Sequence, residues 1–223
     1  MVTPRADFPD AQRWFALEER LYGSQAYESR VGSSTDTAEF DDFRRGGVCF
    51  VAIHSVMHWS WTGASKLADR GTGSLVEVLV SAVPSRGLVL AKRPESLSQL
   101  TGIVSRLSST CASQGGVVID LHGMRNQRDL DAEIGLGISP SVAEVETAQT
   151  LVELLSVRGL RVAVNEVFKA PVAWNVTNSV RASGGSAFQL EIAACARPPI
   201  GDPARSQGLF DALCDFAKGH SGG

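Results

Sequence analysis

Histidine is scarce in this chain, with four copies among 223 residues. Cysteine is equally scarce, and Cys49, Cys111, Cys195 and Cys214 show no C-x-x-C spacing. That pattern fits buried, reduced thiols in a cytoplasmic protein better than a disulfide framework or a cysteine-rich metal site. No apolar run approaches the ~18 residues of a membrane span. The opening segment "MVTPRADFPDAQRWFALEER" carries acids and no apolar core, so it does not read as a secretory signal. There is no excess of positive charge: 21 Lys and Arg stand against 24 Asp and Glu, for a net charge of -3. Nucleic acid and membrane surfaces are therefore not expected partners. The glycine-rich "GTG" at 71–73 and "SGG" at 183–185 have neither P-loop nor dinucleotide spacing. A G-x-S-x-G elbow is missing too, which argues against a serine nucleophile.

What is present is alternation. "GGVCFVAIH" (Gly46 to His54) and "VVIDLH" (Val117 to His122) are continuous apolar runs of the kind that form strands buried on both faces. "LRVAVNE" and "SAFQLEIA" read as two further strands. Between them lie helical patterns. Thr72 to Val83 has Thr72 as its expected N-cap, and Ser96 to Gly116 has a stripe of Leu97, Leu100, Val104 and Leu107. Ser139 to Gly159 has Pro140 at the expected first helical position, and an amphipathic helix closes the chain. Alternating strands and helices predict an α/β three-layer sandwich with a mixed, mainly parallel central sheet. The chain reads as one domain over 1–223, with residues 1–25 as an N-terminal extension and 219–223 as a frayed tail.

Ligand sites in such sheets gather beyond the carboxyl ends of the strands. Two of the four histidines, His54 and His122, stand there. If their strands are neighbours, both imidazoles open into one crevice. A hydrolytic zinc site needs three protein ligands and one open position. Two such histidines and one more ligand meet that need. The third ligand is either His58, which gives H-x-x-x-H, or Asp69 in "KLADRGTGSL". Asp120 sits two residues before His122 on the same side of its strand, where it can orient the imidazole. In "AFQLEIA", period-two alternation sends Phe188, Leu190 and Ile192 to one face and Gln189, Glu191 and Ala193 to the other. An ionised, unpaired Glu191 inside that strand would cost several kcal/mol. It calls for a metal-activated water or an arginine such as Arg125 or Arg181 as partner.

Taken in order, "AIHSVMH…KLADRGTGSL", "VVIDLHGM…DAEIGLG" and "SAFQLEIA" resemble the N-formylglutamate amidohydrolase-like proteins. Those in turn resemble the zinc carboxypeptidases and the bacterial polyglutamate hydrolases. The resemblance runs from about Gly46 to Ala194. It implies a zinc carboxypeptidase-like (phosphorylase/hydrolase-like) fold and Zn²⁺ held by His54, Asp69 and His122. It implies Glu191 as general base, with His58 and Arg125 as substrate contacts and Asp131 either ordering its loop or contacting substrate. The zinc carboxypeptidases carry an acid three residues after the first histidine; here that position is Met57. The implied activity is cleavage of the amide bond of a small N-acyl amino acid, possibly N-formyl, or of an amide or peptide-like substrate. Arg125, Lys66 and Arg181 are candidates for clamping a substrate carboxylate, and Trp59, Trp61 and Trp174 for walling the pocket. The other reading keeps the fold but binds a ligand or a protein without turnover.

Overall fold

A computed structural model describes residues 8–22, 37–41, 47–56, 58–59, 65–90, 94–126, 129–172 and 175–220. The elements run α1 (Ala11–Tyr22), β1 (Thr37–Asp41), β2 (Val48–Ala52), β3 (His58–Trp59), β4 (Ser65–Lys66), α2 (Thr72–Ala82) and β5 (Arg86–Leu90). They continue with α3 (Leu97–Gln114), β6 (Val117–Met124), β7 (Ala132–Gly135), α4 (Val142–Ser156), β8 (Val162–Val164), α5 (Val176–Ala182), β9 (Ser186–Ala193) and α6 (Pro203–His220).

The apolar runs at β2, β6 and β9 become the middle of a seven-stranded sheet of order β1-β5-β2-β6-β9-β7-β8. Their Val, Ile, Leu and Phe side chains are buried on both faces, as a parallel sheet between helix layers requires. β5, β2, β6 and β9 run parallel, as do β7 and β8; β1 and β7 join antiparallel to β5 and β9. Helices α3 and α5 pack together on one face. On the other, α6 packs against α2 and α4, and α1 joins α2. This is the expected mixed, mainly parallel three-layer sandwich. The alternation in β9 follows the expected pattern: Phe188 meets Phe216 of α6, with ring centroids 6.2 Å apart. Gln189 and Glu191 face the α3/α5 side, where both line a cavity with α3 residues.

Several local expectations are corrected. Thr72 is not the N-cap of α2; Gly71 is, in a left-handed conformation (φ 79°), and the Thr72 hydroxyl instead donates to the Asp69 carbonyl at 2.8 Å. Pro140 lies before α4 rather than in its first turn. Ser141 caps that helix in a reciprocal box with Glu144, which ties down two orphan amides. A strand absent from the expected set, β7 (Ala132–Gly135), lies beside β9. The segment expected to be an N-terminal extension contains α1, whose Trp14 is 1% exposed in the core. The four cysteines are free thiols, three of them buried. His220 closes α6, and residues 221–223 of the expected tail lie outside the described residues.

Gly71 bears on the candidate site because it starts α2 two residues after Asp69. A Cβ there would overlap the Pro198 carbonyl oxygen. Gly159, after α4, has a similar φ of 77° but nothing within 4 Å of its Cβ position. Gly159→Ala should therefore cost only the left-handed penalty of about 1–2 kcal/mol. Gly71→Ala should cost about 3 kcal/mol or more, because backbone must also move. Urea unfolding of the two variants measures the difference; equal costs would contradict the close packing of Gly71 on Pro198.

Candidate metal centre

The site starts where β2 ends. The Ser55 hydroxyl contacts the carbonyls of Ala52 and Leu90 at 2.8 and 2.7 Å, which fixes the turn that carries His54. The chain leaves through the β3–β4 hairpin and returns so that the Asp69 amide donates to the His54 carbonyl at 2.7 Å. β6 lies beside β2, and its His122 faces the same place. The two imidazoles meet edge to face with centroids 4.4 Å apart. Asp69 Oδ2 stands 3.7 Å from His54 Nδ1 and 3.6 Å from His122 Nδ1.

Those separations are too long for hydrogen bonds. They are close to the roughly 3.4 Å edge of a tetrahedron whose ligands lie about 2.1 Å from a central ion. The remaining geometry fits the same use. His122 Nε2 is 2.8 Å from Asp120 Oδ2. A carboxylate at Nε2 keeps a proton on that nitrogen and leaves Nδ1 as the nitrogen that faces Asp69. His54, Asp69 and His122 together offer three ligand atoms within 4.8 Å of one another and could hold a metal ion.

The electrostatics of the group follow from its burial. Burial pushes the Asp69 carboxyl upward, but His122 and His54 outweigh it and hold the group well below the usual carboxylate range. Burial alone would lower the His122 pKa; the Asp120 carboxylate, supported by Asp69 and Glu191, instead raises it well above the ordinary histidine value. Glu191 pairs in register with His122 across β6 and β9, so both side chains project from the same face. Burial pushes its carboxyl up to about 7, against the pull of His122 and Lys66 and with the push of Asp69 and Asp120.

Glu191 is braced from the side. Gln189 Nε2 contacts Glu191 Oε1 at 3.4 Å and the Phe168 carbonyl at 3.1 Å. Glu133 of β7, opposite Glu191 in register and fully buried, accepts the amides of Val167 and Phe168 at 2.5 and 2.8 Å. Gly135 is required there, since a Cβ would overlap the Phe168 carbonyl and crowd the Gln189 side chain. The braced 167–172 segment walls a cavity of about 300 Å³ that His54, His122 and Glu191 also line.

The other expected site residues are placed differently. Asp131 is buried away from this cavity. Its carboxylate accepts the Arg161 amide at 2.9 Å and the Arg205 guanidinium at 2.5 Å, which orders the loop before β7. Arg125 follows β6 and is exposed. Arg181 is committed to Glu144 and to the carbonyls of Leu136, Ile138 and Ala187, so it pairs with neither Glu191 nor a ligand. Lys66 lines the cavity. His58 opens a strand rather than a helix, so H-x-x-x-H does not place two rings on one helical face. The side chains of His58, Trp59, Trp61 and Trp174 lie outside the described residues.

One supporting residue was not legible. Arg197, buried after β9, donates to the carbonyls of Arg70 and Met124 at 2.8 and 3.2 Å. It fills the space that a Cβ on Gly123 would need. Gly123 thus lies inside β6 and admits an arginine. The only sequence signal was an arginine in "ACARPP" just beyond a strand.

No family model matches this chain. No curated protein matches it either. Solved structures do. A bacteriophage poly-gamma-glutamate hydrolase aligns at 14% identity over 85% of this chain and 92% of its own, with a TM-score of 0.56. The N-formylglutamate amidohydrolase of Ralstonia eutropha JMP134 aligns at 12% identity over 83% and 98%, also at 0.56. The succinylglutamate desuccinylase of Chromobacterium violaceum aligns at 14% over 90% and 72%, at 0.54. At these identities the likeness is one of architecture: the chain has the fold shared by these hydrolases.

Proposed function

We propose that the protein is a zinc-dependent amidohydrolase that cleaves the C–N bond of a small N-acyl amino acid, amide or peptide-like substrate. The observation that carries this reading is the His54, Asp69 and His122 group with Glu191 paired in register to His122, the two histidines and Glu191 lining one cavity. Mixed imidazole and carboxylate donors suit zinc, and three protein ligands leave a position open for chemistry. The names of the structures that share the fold point the same way, since each is a hydrolase of an N-acyl or glutamyl compound.

In this reading His54, Asp69 and His122 hold the ion, and Asp120 keeps His122 in the tautomer that offers Nδ1. Zinc held there would supply Lewis-acid chemistry and lower the pKa of water towards ~7. Glu191 takes that water's proton and returns it to the leaving nitrogen, a role suited to a carboxyl pushed up to about 7. Gln189 and the segment braced by Glu133 keep the Glu191 carboxylate aimed and limit water around it. Substrate contacts from His58 and Arg125 belong to the same proposal, since His58 opens β3 four residues after His54 and Arg125 directly follows β6.

Elemental analysis of protein purified without chelator should find close to one zinc per chain, lost in His122→Ala and in Asp69→Ala. Glu191→Gln should keep the metal and lose roughly 10²–10⁴-fold in kcat. Full activity in Glu191→Gln, or activity in metal-free protein, would overturn the reading. The raised His122 pKa makes a further prediction. Without metal, His122 keeps its proton at pH 7, so the stability it contributes is present at low pH and lost as pH rises through its folded value. Metal must displace that proton, so affinity should fall as pH falls. Calorimetric zinc titrations in two buffers of different ionisation enthalpy should show a released proton at pH 7. Asp120→Asn should reduce the release; an unchanged value would show that His122 was already neutral.

A further inference from the structure

We propose that Arg197 is a positioning residue for the metal centre: by bridging the Arg70 and Met124 carbonyls it sets the separation of Asp69 from His122, and thereby the affinity for zinc. This role rests on the reading of His54, Asp69 and His122 as zinc ligands. Arg197 is 7% exposed and does not line the cavity. Its two terminal nitrogens reach one carbonyl on each of two ligand-bearing segments. Nη1 donates at 2.8 Å to Arg70, the neighbour of Asp69. Nη2 donates at 3.2 Å to Met124, which shares β6 with His122. A guanidinium is planar and rigid, so it holds both carbonyls at a fixed spacing. The ligands joined to those carbonyls, Asp69 Oδ2 and His122 Nδ1, stand 3.6 Å apart. A metal site needs its donors held to within about 0.5 Å.

The arginine is itself anchored. The Gly201 amide donates to the Arg197 carbonyl and the Asp202 amide to the Cys195 carbonyl, both at 2.7 Å. The next residue, Pro198, sets its carbonyl where a Cβ on Gly71 would lie. The guanidinium fills the space beside Gly123, which strand alternation puts on the face opposite His122. Arg197 therefore acts from behind the strand. Burying a cation is costly unless it is paired. Among the described residues no ion pair engages Arg197, and its Nε has no hydrogen-bond partner. Burial pushes the guanidinium pKa down, and Asp69 and Glu191 pull it back up. An apolar side chain of similar length would fill the same space without that cost. What it could not supply is the pair of bonds to the two carbonyls. Charge and bridge act on zinc with opposite signs. A nearby cation repels Zn²⁺, whereas a bridge that holds the ligands together favours it. The sign of the change on removing the arginine separates the two.

The test measures the zinc Kd of the metal-free full chain by competition with a chromophoric chelator. The visible spectrum of the Co²⁺-substituted chain reports ligand geometry. Arg197→Met should weaken zinc binding by roughly 10- to 100-fold and shift the cobalt bands. Arg197→Lys keeps the charge but not the fork, and should recover only part of the loss. Arg181→Met is the control. That arginine also binds carbonyls, those of Leu136, Ile138 and Ala187, but none adjoins a ligand. It should lose stability to urea with the zinc Kd unmoved. If Arg197→Met does not fold, Gly123→Ala sets a Cβ against the guanidinium and should weaken zinc binding with Arg197 still present. Unchanged or tighter zinc binding in these variants, full recovery in Arg197→Lys, or equal weakening in Arg181→Met overturns the bridge and leaves the amidohydrolase reading in place. The expected losses, in a chain whose zinc-loaded wild type hydrolyses no N-acyl amino acid, amide or peptide, uphold the bridge and sink the enzyme reading. A wild-type chain that binds no zinc overturns both.

Discussion

One backbone hydrogen bond, from the Asp69 amide to the His54 carbonyl at 2.7 Å, closes the excursion that begins after β2. Because it is made by main chain, it sets the position of the Asp69 side chain without consuming it. Asp69 then stands 3.6 and 3.7 Å from two imidazoles, beyond hydrogen-bonding distance, at a spacing that could also hold a metal ion. The neighbouring contacts serve the same closure. Thr72 holds the Asp69 carbonyl, Gly71 lets the chain press against Pro198, and Arg197 grips the Arg70 carbonyl. Ligand geometry in this chain is thus a property of how the backbone is tied.

Register does for Glu191 what that bond does for Asp69. With β6 and β9 paired His122 to Glu191 and Asp120 to Gln189, period-two alternation gathers four polar side chains on one face of an otherwise apolar sheet. β7 adds Glu133 beside Glu191. A slip of one residue would turn all of them into the opposite core, against Phe216 and its neighbours. The catalytic reading therefore depends on strand pairing over the whole of β6 and β9.

Much of this was legible in the sequence, and the division has physical causes. β2, β6 and β9 announce themselves because strands buried on both faces must be apolar, so His54, His122 and Glu191 stand out as exceptions. Asp69 was reachable only by its order before a helix, since the closing bond is between backbone atoms and leaves no side-chain signature. β7 escaped because a four-residue strand of Ala, Glu, Ile and Gly has little pattern. Asp131 suffered from the same omission. It directly precedes that strand and orders the approach to it with Arg205, the loop-ordering role that its sequence position allowed beside a substrate contact. Arg197 and Gly123 lie more than seventy residues apart, and a void in one strand filled by a distant side chain cannot be read from either alone.

Charge decides what such a site needs. Asp69, Asp120 and Glu191 converge on a small volume, and water is largely kept from them. Arg197 and Lys66 offset only part of that charge, and they do so from a distance. The balance is visible in the two groups able to take up protons. His122 holds its proton well above the usual range, and Glu191 is pushed up to about 7. The Glu191 shift comes first from burial, and the His122 shift from the carboxylates around it, chiefly Asp120. Protons are one remedy, and they silence the very lone pairs and carboxylate that chemistry would use. A divalent cation between His54, Asp69 and His122 is the other. Bound there, it would replace the Nδ1 proton of His122 and favour the ionised form of Glu191.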